Sequence, residues 1–172
     1  MSRIASYHCV LTGTLISKLL SPQLNKFYIE QIAERGGNGF FDSSSGINGI
    51  GKLAIDFINI IQKLNFRTDL QKTTLLAWGK VLPTRGLMRA EKARCGVCYQ
   101  EKMINNAPIY DQLIWYVKEV LCCPKHKIDL GTQCPNCSKT MQILSRKALP
   151  GYFQHYYGWL GINDSPIAMK SS

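Results

Sequence analysis

Apolar positions recur at helical spacing through the first half of the chain and at irregular, turn-broken spacing through the second. In "LTGTLISKLL", Leu11, Leu15, Ile16 and Leu19 share one face, as an amphipathic helix requires. "SPQLNKFYIEQIAERGG" follows, with Ser21 as an N-cap, Pro22 in the first turn and Gly36 as a stop, so 10–34 is expected to be helical in two pieces. "GGNGFFDSSSGINGIG" is rich in Gly and Ser and reads as a loop; its "GIGKL" lacks the hydroxyl that a phosphate loop carries after Lys52. "KLAIDFINIIQKL" is a predicted helix whose apolar face is Leu53, Phe57, Ile60, Ile61 and Leu64. The connector "NFRT" leads to Thr68 and Gln71, which fit a capping box and predict a second helix from about Asp69. Two helices joined so closely suit a helix-turn-helix, although any helical hairpin shares the pattern. Pro83 and Gly86 end the helical half. Beyond them "IYDQLIWYVKEVLCCP" has the β-branched and aromatic content of a strand, and the rest is short turns around cysteine pairs. The expected fold is a mainly α, helix-turn-helix-like domain over 1–84 and a small, irregular α+β zinc-binding domain over 85–172.

The chain has 172 residues, 45% of them apolar, which is enough for a packed core. No apolar run reaches the roughly 18 residues of a membrane span. The N-terminus is interrupted by Ser, His, Thr and Gly and lacks a cleavage site, so a cytoplasmic protein without a membrane role is expected. The formal net charge is +10, from 21 basic and 11 acidic residues, which favours a polyanionic partner. Six basic residues lie between Lys80 and Lys102, against Glu91 and Glu101. Arg67 and Lys72 flank the start of the expected second helix, and Lys80, Arg85 and Arg89 follow it; these five are the candidate nucleic-acid contacts.

Seven cysteines cannot all pair internally, and their spacing fits metal better than disulfides. Cys95-Gly-Val-Cys98 is a knuckle of the kind that brings two sulfurs to one ion, and Cys123-Pro-Lys-His126 has the same gap with an imidazole in second place. Together they make a Cys₃His zinc site. Cys122 then falls on the adjoining strand as a small buried apolar residue; the competing assignment makes Cys122 the ligand with a three-residue gap. Cys134-Pro-Asn-Cys137 is a third knuckle, which needs partners for a second zinc or pairs with Cys95 and Cys98 in a Cys₄ site. A redox role for these pairs is the weaker rival, since no thioredoxin-like βαβ unit surrounds them. A catalytic zinc keeps an open position beside a general base, whereas here the ligands suffice to close the site and Asp129 is the only acidic residue from Pro124 to Tyr157. A structural metal and no catalysis are expected.

"TLLAWGKVLPTRGLMRAEKARCGVCY", "YDQLIWYVKEVLCCPKHKIDLGTQCPNC" and "LPGYFQHYYGWLG" resemble the TniQ/TnsD family of Tn7-like, CRISPR-associated transposons. The likeness runs from about residue 10 to residue 161, and the ordered knuckles with the intervening Trp are its specific part. It implies an N-terminal helix-turn-helix joined to tandem zinc motifs, in an adaptor without catalytic activity. Such adaptors select a target site by recognising DNA or docking on an RNA-guided effector complex. They recruit the AAA+ ATPase TnsC, which brings in the transposase. The first finger carries over to Cys95, Cys98, Cys123 and His126, and the second to Cys134 and Cys137 with a later pair. That pair falls on Phe153 and Tyr156, with His155 beside them, so one zinc is expected and an aromatic plug stands in for the second. The resemblance also implies a segment leading into "SRIA", so that Met1 falls inside the family's first helix. The alternative function is a stand-alone, zinc-containing helix-turn-helix regulator of DNA; a zinc or thiol enzyme is the third.

Overall fold

The computed structural model describes residues 2–24, 41, 44–147, 149–152 and 158–162. The chain opens with α1 (Ser2–Tyr7) and α2 (Thr12–Leu15), and α2 runs on through a π turn, Ile16–Leu20, and a 3-10 turn, Ser21–Gln23. The rest of the expected 10–34 helix, from residue 25 on, lies outside the described residues. Within the Gly- and Ser-rich segment, Ser44–Asn48 is a 3-10 turn rather than open loop, and the Ser44 hydroxyl donates to the Phe41 carbonyl at 2.6 Å.

Helix α3 (Lys52–Asn65) forms where the periodicity predicts it. Phe57 and Ile60 of the expected face are buried with Ala54 and Ile58, while Leu64 at the end of the helix is exposed. The helix ends at Phe66, which takes a left-handed conformation at φ 54° and is 97% exposed.

The second helix of the expected pair does not form. Leu70–Thr73 and Leu75–Trp78 are two separate 3-10 turns, with Thr74 extended between them. The threonines account for the break. Thr73 Oγ1 donates to the Leu70 carbonyl at 2.8 Å and Thr74 Oγ1 to that of Gln71 at 2.9 Å, while Thr74 Oγ1 also accepts from Leu76 N–H at 3.3 Å. Such local bonds compete with the helical ladder. The capping box is also displaced, because Gln62 Oε1 of α3 takes the Leu70 N–H at 3.0 Å. The described residues therefore show a helical region without a helix-turn-helix.

Past residue 86 no strand longer than an isolated antiparallel bridge forms among the described residues. The predicted strand over 109–124 is instead a 3-10 turn, Leu113–Tyr116, flanked by single bridges at Val117 and Cys122. From that bend Trp115 and Tyr116 turn inward and are buried, while Ile114 and Leu121 stay exposed. The sequence reading missed α4 (Gly96–Ile104), which starts directly from Cys95. Among the described residues no helix is long and apolar enough to cross a membrane.

Two buried clusters result. One holds Ile16, Leu20, Phe57 and Ile60, and the other surrounds the cysteines with Tyr99, Trp115, Met141 and Trp159. The segment 141–146 joins them. Met141 lies in the cysteine cluster and Leu144 in the helical one, and the Arg146 carbonyl accepts from Gly13 N–H at 2.9 Å. The helical cluster thus takes a core residue from beyond the expected boundary at residue 84.

Asp111 ties the cysteine cluster to its surroundings. Its carboxylate accepts from the Tyr99 hydroxyl and from the Tyr116 hydroxyl at 2.8 Å, and it pairs with Lys92 at 3.0 Å. Burial alone raises a carboxyl pKa; the charge of Lys92 and these hydrogen bonds outweigh it and hold Asp111 below its usual range. Burial, reinforced by the same carboxylate, pushes both tyrosine hydroxyls well above theirs. Because the folded pKa of Asp111 is depressed, its contribution is full above the unfolded value of about 4 and is lost as pH falls through the lower folded value. Asp111→Asn should cost about 2–4 kcal/mol at neutral pH in chemical denaturation, and the gap from the parent should narrow in acid. Equal stability at pH 7 would show that the cluster does not depend on this carboxylate.

Candidate metal centre

The site begins with the N-terminus of α4. Cys95 is the N-cap, and its sulfur accepts from Cys98 N–H at 3.5 Å, which aims both side chains of the Cys-x-x-Cys turn the same way. Gly96 between them is closely surrounded: a Cβ there would lie 3.0 Å from Arg94 Nη1 and 3.3 Å from the Leu160 carbonyl, so a side chain would make its neighbours give way slightly.

The other half is a tight turn. Cys123 N–H donates to the Ile128 carbonyl at 2.7 Å, Lys127 N–H returns to the Cys123 carbonyl at 2.8 Å, and Lys127 is left-handed at φ 56°. An antiparallel bridge between Cys122 and Asp129 closes the turn. Neighbouring residues of a bridge point to opposite sides. Cys123 therefore faces the core at 0% exposure, and Cys122 faces solvent rather than being the buried apolar residue expected from sequence.

These halves bring Cys95, Cys98, Cys123 and His126 together, with all four ligand atoms within 4.8 Å of one another. His126 presents Nδ1, which lies 3.4 Å from Cys95 Sγ, 3.3 Å from Cys98 Sγ and 3.7 Å from Cys123 Sγ; the Cys98 and Cys123 sulfurs are 3.7 Å apart. A tetrahedron with Zn–S near 2.3 Å and Zn–N near 2.0–2.1 Å has S···S edges of about 3.8 Å and S···N edges of about 3.5 Å. The cluster could hold one metal ion, and its donors fit zinc in kind and spacing.

Its electrostatics favour a cation. Burial and contact with the Cys123 and Cys95 sulfurs push the Cys98 thiol up to about 12. Burial also opposes ionisation of Cys123, but the backbone N–H groups of His126 and Lys125 and the side chains of His126 and Cys95 bring it down to about 7. Burial raises Cys95. Such a set ionises one thiol near neutrality and cannot hold three thiolates alone; a divalent ion supplies the missing charge. Outside the cage, Gln112 Nε2 donates to Cys98 Sγ at 3.6 Å. Behind it the Tyr99 ring lies 5.9 Å from Trp115 and 6.4 Å from Trp159, and Tyr152 lies 5.2 Å from Trp159.

Cys134 and Cys137 form a second turn of the same design, eleven residues on. Cys134 N–H donates to the Lys139 carbonyl at 2.9 Å, Ser138 N–H to the Cys134 carbonyl at 2.8 Å, Ser138 is left-handed at φ 54°, and Gln133 bridges Thr140. Cys134 is buried and Cys137 is exposed. No third metal ligand joins them among the described residues. Phe153, His155 and Tyr156, the positions expected to close a second site, lie outside those residues. Cys95 and Cys98 are grouped with Cys123 and His126, not with this turn.

Of the candidate nucleic-acid contacts, Arg67, Lys72, Lys80 and Arg85 are exposed, and Arg67 holds Asp69 with two hydrogen bonds of 2.8 and 2.6 Å. Arg89 is not a surface residue. It is 9% exposed, and its guanidinium donates to the carbonyls of Val117, Lys118 and Val120 at 3.2, 3.4 and 2.5 Å. It organises the bend that carries Trp115 and leaves no phosphate-binding head in solvent. No known protein-family model matches the chain, and no curated protein matches it.

The geometry separates the two adjacent cysteines. Cys98→Ser and Cys123→Ser should each cost metal affinity and the cooperative melt of the region beyond residue 86, because structural zinc contributes on the order of 10 kcal/mol in small zinc folds. Cys122→Ser should keep both metal content and melting. Equal loss in Cys122→Ser, read by elemental analysis and calorimetry, would contradict the assignment.

Proposed function

We propose that the Cys95, Cys98, Cys123 and His126 cage holds a structural zinc ion, and that the chain is a non-catalytic adaptor for target-site selection in TniQ/TnsD-type transposition. It would link DNA or an RNA-guided target-recognition complex to a TnsC-type AAA+ ATPase, and through that to the transposase. The observation that carries the zinc assignment is the complete four-ligand cage, which fills a tetrahedral shell and leaves no position for substrate water. Zinc there supplies charge and geometry to the fold. The adaptor assignment is supported by the ordered knuckles of the resemblance and by the basic surface from Arg67 to Arg85.

The stand-alone regulator is less well supported. Reading bases in the major groove takes a helix laid along it. Between Leu70 and Trp78 the chain makes two 3-10 turns instead. Exposed Lys72, Lys80 and Arg85 suit phosphate contacts, which position a protein on DNA without specifying sequence.

Binding to duplex DNA should therefore be weak, sequence-tolerant and salt-dependent. Three or four contacts give a log–log salt slope of about −3 to −4. Lys80→Glu with Arg85→Glu should flatten the slope by about 2 and weaken all sequences alike. A steep preference for one sequence, unaffected by these changes, would favour the regulator.

The adaptor assignment is tested by reconstituting insertion with the cognate TnsC, transposase and target-recognition components. Targeted insertion should depend stoichiometrically on this chain, which should hydrolyse neither ATP nor DNA by itself. Equal targeted insertion without it would overturn the assignment.

A further inference from the structure

The metal cage has a support that the cysteine spacing does not reveal. Glu101 lies on α4, three residues after the ligand Cys98, and i,i+3 positions share a helical face. His126 points Nδ1 at the three sulfurs, and its other ring nitrogen, Nε2, is buried. The polar atom facing Nε2 is Glu101 Oε1, at 3.0 Å. The two atoms are within hydrogen-bond distance without meeting the geometry of an aligned bond. The other carboxylate oxygen, Oε2, is paired with Lys125 of the same turn as His126. Glu101 therefore spans the two halves of the cage, α4 on one side and the 123–126 turn on the other.

We propose that Glu101 is the positioning residue of the metal centre: it accepts the Nε2 proton of His126, fixes the tautomer that leaves Nδ1 free for the metal, and raises the basicity of the imidazole. This rests on the assignment of the cage as a metal site. An imidazole that binds metal through one nitrogen must carry its proton on the other, and the partner of that proton fixes ring orientation. The three cysteines are 0–2% exposed and His126 is the ligand at the edge of the cage, so the imidazole is the ligand most open to exchange. His126 is 15% and Glu101 39% exposed at the side chain, so solvent reaches this edge of the cage. Lys125, at 61% exposure, holds the other carboxylate oxygen.

The rival account is that Glu101 is only the surface partner of Lys125. Zinc release to a chromogenic chelator, together with zinc content per chain, separates the two. Glu101→Ala should retain the zinc of the parent when purified and release it about 10–100-fold faster. Glu101→Gln keeps an acceptor but loses the charge and should fall between parent and Glu101→Ala; Glu101→Asp should restore much of the slow release. Lys125→Met should leave release within about twofold of the parent. Should Glu101→Ala fold poorly, the Gln and Asp variants decide in the same way. Parent-like release in both Glu101→Ala and Glu101→Gln would overturn the positioning role while leaving the metal site intact. Acceleration in Lys125→Met equal to that in Glu101→Ala would also overturn it, in favour of the surface pair. A parent protein that neither contains zinc nor takes it up would instead overturn the metal assignment beneath it.

Discussion

Three buried cysteine sulfurs and an imidazole at their edge, brought into one cluster, are the constraint around which the second half of the chain is arranged. The Cys98 and Cys123 sulfurs lie 3.7 Å apart in a buried site, and burial with the neighbouring sulfurs opposes ionisation of Cys98. A divalent cation removes that conflict and turns mutual repulsion into cross-links. The cross-links matter because regular structure is sparse there: among the described residues beyond residue 86 it consists of isolated bridges, a 3-10 turn and one helix of nine residues. The aromatic cluster of Tyr99, Trp115 and Trp159 packs behind the cage, where Asp111 accepts from the Tyr99 and Tyr116 hydroxyls and Arg89 donates to the carbonyls of Val117, Lys118 and Val120.

How much of this was legible in the sequence depends on the range of the interaction responsible. The two-residue gaps of Cys95–Cys98 and Cys123–His126 are local and geometric, and they identified the cage ligands and chose Cys123 over Cys122. Helix α3 was legible because its apolar period is long and unbroken. The second helix was misread because Thr73 and Thr74 sit at acceptable helical positions while their hydroxyls bond the backbone instead. Arg89 looked like one more surface cation, and only the bend at residues 117–120 makes it a buried donor. Helix α4 was missed because "GVCYQEKMI" follows a cysteine rather than one of the common capping residues; the Cys95 sulfur is the cap. The apposition of Glu101 and His126 joins residues 25 apart and had no local signal.

The functional account follows from the same division. A metal-held centre would allow a segment with little regular secondary structure to hold a defined surface, which suits binding more than chemistry. Arg67, Lys72, Lys80 and Arg85 are exposed on the turns after α3, where 3-10 turns stand in place of a recognition helix. Phosphate contacts from such turns would hold the protein on nucleic acid while target choice is made elsewhere, which is the division of labour expected of an adaptor. The shared segment 141–146 makes the helical and metal-binding clusters mutually dependent, so a disturbance at the cage is expected to reach the basic turns.

The central claim is a zinc ion held by three sulfurs and one nitrogen at the Cys95, Cys98, Cys123 and His126 cage. X-ray absorption at the zinc edge tests it most directly, in a Cys134→Ala, Cys137→Ala variant so that the second turn contributes no sulfur. The spectrum should fit three sulfurs at about 2.3 Å and one nitrogen at about 2.0–2.1 Å. A shell of nitrogen and oxygen alone, or four sulfurs, would contradict it.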